Sequence, residues 1–168
     1  MNILKKLSAK SLPLALIIIL AGLVGGLAEI LWVMSYSMFS ATSGVEVARQ
    51  VTASVFPAAA SLPHAPLLGV GIHLVLSLLL AAGFVFAVWV PLLCHHNPAT
   101  IWLSTIAALT GVWLINFLVV LPVINPTFVE LMPYAVTLVS KIMFGLAMGW
   151  VLCLFHNSSS RLFICTSR

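Results

Sequence analysis

Four residues of this sequence carry strong chemistry inside otherwise apolar runs: Glu29, His73, Asn116 and Lys141. A carboxylate and an ammonium can neutralise each other, and an imidazole and an amide can complete a hydrogen-bond network around them. Ionisable groups in such surroundings are costly, so they turn toward an interior and find partners. On helices, Glu29 would lie about ten residues from the end of its run, roughly 15 Å at 1.5 Å per residue, and His73 about seven, roughly 10 Å. Asn116 and Lys141 would lie about seven and eight residues from theirs, roughly 10–12 Å. Four helices thus each place one polar group in one layer. One reading is a structural network that sets register between helices, where removing one partner of a buried pair costs about 3–5 kcal/mol. The other is a functional site: a proton relay, an ion or solute site, or a contact to a partner subunit. A complete proton pathway is not expected, because Asp is absent and the other acids are Glu46 and Glu130 alone.

The elements that must position this layer follow from composition. Of the 168 residues, 62% are hydrophobic and only 6% charged, against about 25% charged in soluble domains. So few charges cannot cover a water-exposed surface, and lipid must solvate most of the chain. A span needs about 20 mostly apolar residues, and four stretches qualify: 12–38, 66–92, 100–123 and 133–155. An open sheet would leave backbone groups unpaired in lipid, and continuous rather than alternating apolar runs argue against a barrel. The expected fold is all-α: one transmembrane domain over 1–168, an integral membrane four-helix bundle. The first run is too long for a signal-peptide core of about 7–15 residues and is read as a retained helix.

Orientation follows from the basic residues. Lys5, Lys6 and Lys10 precede the first span and Arg161 and Arg168 follow the fourth, whereas Arg49 stands alone in the opposite loops. The positive-inside rule puts both termini in the cytoplasm of a multi-pass inner (plasma) membrane protein. The longest loop follows the first span. Within it Val45, Ala48, Val51 and Val55 recur at helical spacing, with Glu46, Arg49 and Gln50 between them. That pattern predicts a short amphipathic helix over about 44–56, with Glu46 and Arg49 at the outer interface. The alternative is an ordered loop packed on the bundle. The link between the second and third spans is short, which predicts antiparallel neighbours. The tail over 157–168 is polar enough to be mobile. Gly22 with Gly26 and Gly145 with Gly149 form GxxxG pairs, and Ala21 with Gly25 a related one. Such pairs let helix backbones approach, within this chain or against another.

On the cytoplasmic side by this topology lie Cys94, His95 and His96, with Cys153, His156 and Cys165. Thiolate and imidazole suit zinc or copper. Cys94, His95, His96 and His156 are candidate ligands, but their spacing is not that of a closed zinc site. The alternative is interfacial histidines and unrelated thiols, and an odd cysteine count does not read as a disulfide framework. His73 could ligate haem, yet no second histidine lies within a span to pair with it. No cofactor is expected beyond lipid. Trp32, Trp89, Trp102, Trp113 and Trp150 lie mostly toward span ends and suit an interfacial belt. The chain has no phosphate-binding loop, no G-x-S-x-G, no H-E-x-x-H and no carboxylate pair, so no enzyme activity is expected. Ser77 one turn from His73 is a common helical coincidence. Seven scattered basic residues do not suit nucleic acid.

Val47-Ala48-Arg49-Gln50 leads to Gly69-Val70-Gly71-Ile72-His73-Leu74 and Ser77, and later to Asn116-Phe117-Leu118-Val119-Val120-Leu121-Pro122. These stretches resemble a loose group of small four-span bacterial inner-membrane proteins of the YagU-like kind, over about residues 20–152. The resemblance implies a four-helix inner-membrane protein, points to Arg49, His73 and Asn116, and implies no catalytic role. Lys141 departs from it, standing where a histidine would be expected.

Two functions fit. The first is a non-catalytic accessory or scaffold subunit that packs against other membrane subunits through its glycine-rich faces. The second is a small homo-oligomeric transporter or channel that uses the Glu29, His73 and Lys141 layer. For topology, reporter fusions at the C-terminus should register as cytoplasmic and fusions at Ser61 as external. The opposite pattern would invert the orientation.

Overall fold

The computed structural model describes residues 2–90 and 98–162, with side chains over 14–90 and 98–155. Among the described residues every regular element is helical. They are α1 (Asn2–Met38), α2 (Gly44–Val55), α3 (Ala65–Phe84), α4 (Pro98–Ile115), α5 (Pro126–Leu131) and α6 (Tyr134–Leu162). Four are long and apolar enough to cross a membrane, over Leu14–Met38, Ala65–Trp89, Pro98–Ile124 and Tyr134–Phe155. The chain is thus a four-span helical membrane protein, with span limits within a few residues of those expected. The backbone of α6 runs on to Leu162, into the segment expected to be mobile.

Two spans are interrupted by π turns near their ends. α3 passes into a π turn at Val85–Trp89, and α4 into one at Asn116–Val120 followed by a short α turn, Leu121–Ile124. In sequence each π turn ends two residues before a proline, Pro91 and Pro122. Proline has no N–H to donate, and its ring crowds the carbonyl four residues back. Widening the turn just upstream keeps the remaining groups bonded, as Leu121 N–H does by donating to the Asn116 carbonyl.

Packing places α1 and α6 side by side at the centre. α3 lies against α1, and α4 against α6. The helices joined by the short link, α3 and α4, therefore pack chiefly on the central pair, and the expectation that they are each other's neighbours is corrected. Glycines explain the order, because they mark where backbones come closest. A Cβ on Gly22 would meet Leu78 Cα of α3 at 2.9 Å, and one on Gly26 would meet Ser77 Oγ at 2.6 Å. On the other side, a Cβ on Gly25 would strike the Phe144 ring of α6 at 2.6 Å. A Cβ on Gly145 would lie 3.1 Å from Ile106 Cα of α4, and one on Gly149 2.8 Å from Thr105 Oγ1. Both GxxxG pairs are thus filled by helices of this same chain.

The half of the bundle toward the chain termini is closed by an apolar core that includes Ile17, Phe84, Leu109, Phe144, Met148 and Leu152. Trp89 and Trp113 are buried rather than belted at an interface, which corrects the reading of those two indoles. Trp113 donates to Thr137 Oγ1 at 2.9 Å and stacks near Phe117, so it belongs to the core. A chain whose length, rather than its crossing points, set the packing would tolerate these glycines being enlarged. Gly22→Leu and Gly145→Leu should each destabilise the bundle by about 1–3 kcal/mol through overpacking. Gly71→Ala and Gly83→Ala, which point into open space, should be neutral or stabilising by up to about 1 kcal/mol. Denaturation midpoints in mild detergent read the difference.

Candidate functional site

The antiparallel register of α1 and α6 brings Glu29 and Lys141 together. Trp32 Nε1 donates to the Val136 carbonyl at 3.0 Å, one turn further along, and fixes the same alignment. Lys141 Nζ donates to both carboxylate oxygens of Glu29, at 2.6 and 2.7 Å. Ser140 Oγ donates to Glu29 Oε1 at 3.0 Å. The two charged residues are 7% and 9% exposed, so each depends on the other for its charge. Phe144, one turn along α6, seats its ring 5.9 Å from Lys141 Nζ, where the ring face attracts a cation. Gly25 makes room for that ring.

His73 reaches the cluster from α3. Its Nε2 lies 3.3 Å from the Gly26 carbonyl and 3.8 Å from Glu29 Oε2. A carbonyl can only accept, so the first contact is a hydrogen bond when Nε2 carries the proton. Gly26 serves twice: its carbonyl faces His73, and its missing side chain lets Ser77 approach. Ser77 itself back-bonds to the His73 carbonyl at 2.8 Å. Asn116 does not join. It opens the π turn of α4 and, among the described residues, makes no hydrogen bond to Glu29, His73 or Lys141. The layer is three helices deep rather than four, and Ser140, adjacent to Lys141, supplies the fourth polar group.

Above this cluster the helices diverge. A cleft of about 690 Å³ opens between α1, α2 and α3 on one side and α5, α6 and the π turn after α4 on the other. Its floor is Glu29, His73, Ser140 and Thr137, and its walls include Val33, Val47, Val70, Phe117 and Phe128. The polar cluster is thus lined by open space on one side and by sealed core on the other.

α2 is the roof, and it is pinned. A Cβ on Gly69 would fall on the Ala48 carbonyl, so only glycine lets α2 lie this close to α3. Thr52 Oγ1 donates to the Ala65 carbonyl at 2.6 Å. Asn125 holds the other flank: its amide donates to the Gln50 carbonyl, Gln50 Oε1 and Ser54 Oγ, at 3.0–3.1 Å. Its Oδ1 accepts from Phe128 N–H at 3.2 Å and caps α5. Glu46 and Arg49 pair with each other at 3.3 Å, and Arg49 Nη1 also donates to the Ala60 carbonyl at 2.9 Å. The two interface candidates therefore brace the loop that follows α2.

Of the metal candidates, Cys94, His95 and His96 lie outside the described residues, as does the side chain of His156. Among the described residues no group of three metal-ligating side chains converges. Cys153 is a free thiol beside the Pro98 carbonyl.

The ion pair makes a double test possible. Lys141→Met alone should cost about 3–5 kcal/mol, because it leaves the Glu29 carboxylate unpaired. Glu29→Gln with Lys141→Met should recover most of that loss. Equal destabilisation by single and double variants, read from denaturation midpoints, would mean that the pair does not act as a unit.

No family model, no curated protein and no solved structure matches the chain.

Proposed function

We propose that the protein is a small transporter that binds its solute in the cleft, against Glu29 and His73, with Lys141 holding the carboxylate from behind. One observation carries the reading: Glu29, the carboxylate of the only buried ion pair between a lysine or arginine and an acid among the described residues, lies with His73 on the floor of an open cleft, instead of being sealed in the core, and Lys141 holds it from behind. A network needed for register alone gains nothing from facing a void. Buried polar groups beneath an apolar cleft are the usual construction of a small-molecule site, and intramembrane charges commonly mark transport paths.

The sealed core below the cluster bears on the mechanism. Among the described residues no open pore passes Phe144, Met148 and Leu152, each fully buried. A solute bound at the floor would leave on the other side only if that core parted. This is the geometry of a carrier with its site exposed to one side, and it disfavours a channel within one chain. The GxxxG faces that would serve an accessory subunit as interfaces are spent inside the bundle, so we place that reading second.

Proteoliposomes test the proposal. Vesicles holding the protein are incubated with the small-molecule fraction of a cell extract, and their contents are identified by mass spectrometry. At least one species should accumulate over protein-free vesicles. The Glu29→Gln, Lys141→Met double variant should abolish the accumulation while remaining folded. Equal contents for wild type, variant and empty vesicles would overturn the reading.

A further inference from the structure

Resting on the reading of the cleft as the ligand site, we infer that its ligand is an uncharged single-chain amphiphile with a hydroxyl head, admitted sideways from the surrounding hydrocarbon. Three features of the cleft point the same way: its rim, its walls and its floor.

The rim is mostly apolar and exposed, with Ser37 and Ser43 as its polar members. Met34 and Met38 of α1, Val45 of α2 and Leu67 of α3 border the opening, and each is more than half exposed. α2 packs on α3 and only lightly on α1, so the gap lies between α1 and α2. Met34 and Met38 lie on the span Leu14–Met38, and Leu67 on the span Ala65–Trp89. Among the described residues no Lys or Arg, and no Glu other than Glu29, lines the cleft, and the sequence has no Asp. An ion arriving from water would find no charged side chain at the mouth to replace its hydration, only the hydroxyls of Ser37 and Ser43, whereas an alkyl chain already in lipid would exchange one apolar surround for another.

The walls continue that surface inward. Val33, Val47, Val51, Val70, Phe117 and Phe128 offer nothing but hydrocarbon and aromatic faces. The volume falls within the range of about 300–1,000 Å³ that small-molecule sites occupy.

The floor selects the head. The Glu29 and Lys141 charges cancel through two short hydrogen bonds, so a charged ligand would bring a third, unpaired charge into a low-dielectric site, which is strongly unfavourable. What the floor still offers is acceptors. Glu29 Oε2 stands 3.8 Å from His73 Nε2, beyond hydrogen-bond range, and keeps lone-pair capacity. Ser140 Oγ spends its proton toward Glu29 Oε1 and the Thr137 carbonyl, and its lone pairs remain. Thr137 Oγ1 donates to the Tyr134 carbonyl and accepts from Trp113. A floor of acceptors calls for a donor, and a hydroxyl is the smallest uncharged one.

The test uses the full chain in phosphatidylcholine nanodiscs and a photoreactive hexadecanol with a diazirine in its chain. Its methyl ether, its carboxylate analogue and its trimethylammonium analogue serve as comparisons. Adducts are mapped by peptide mass spectrometry. The alcohol should label cleft residues such as Val47, Val70, Phe117 and Phe128 at least about tenfold more than either charged analogue. It should also exceed the ether, and excess unlabelled hexadecanol should compete it away. Val70→Trp, which fills the cleft, should suppress the labelling; if that variant does not fold, competition on the wild type decides. Adducts spread evenly over lipid-facing Leu31, Leu79, Leu103 and Leu154, or a charged analogue or the ether labelling as well as the alcohol, would overturn the inference. Cleft labelling without solute accumulation in proteoliposomes would keep the ligand class and remove the transport reading. Accumulation of a water-soluble solute with no cleft labelling would do the reverse.

Discussion

A carboxylate and an ammonium removed from water together constrain this protein more than any other interaction. Each alone would carry a desolvation penalty of several kcal/mol. Together, with two hydrogen bonds of 2.6 and 2.7 Å, they are tolerable in only one alignment of α1 on α6. That alignment decides much else. It sets Trp32 against the Val136 carbonyl, puts Phe144 over Gly25, and makes α1 and α6 the central pair on which α3 and α4 lean. His73 can approach the carboxylate only because Gly22 and Gly26 let α3 come close on the other face of α1.

The pair also divides the bundle into two unlike halves. On one side the side chains interlock as a hydrocarbon core. On the other the helices part, and a short helix roofs the space between them. The roof is held by polar contacts that its own apolar face could not supply: Thr52 to Ala65, and Asn125 to Gln50 and Ser54. Directional bonds suit this end of the molecule, where apolar packing alone would tend to collapse the cleft.

Much of this was legible in the residues. Four long apolar runs in a chain with almost no charge leave little alternative to four spans, and the valine spacing after Gly44 reads directly as α2. Lone ionisable groups in such runs must find each other, so Glu29, Lys141 and His73 could be grouped before any coordinates. Asn116 matches them in depth alone. Depth along a helix does not fix the direction a side chain faces, and the π turn that begins at Asn116 changes that direction. The same holds for Trp89 and Trp113, whose places toward span ends do not tell which way the indoles face. The glycine pairs announced close approach but not to which helix. Ser140 carried no signal beyond its place beside Lys141. Asn125 did carry one, since asparagine before proline is a common helix start. The cleft could not be read at all, because it depends on how far the helices splay beyond their crossing points.

The distance along the chain between the two charges has a consequence for biogenesis. Glu29 and Lys141 are separated by 112 positions, so α1 is made and must be accommodated long before α6 exists to neutralise it. A lone acidic or basic group at mid-helix raises the free energy of insertion by about 2.5–3.5 kcal/mol. The long apolar run of α1 can absorb that penalty by itself. α6, apolar but interrupted by Lys141, gains an immediate partner if α1 is still close at hand when it emerges. Insertion of the last helix and completion of the bundle are thereby one coupled event, in which the first helix acts as the acceptor that receives the last.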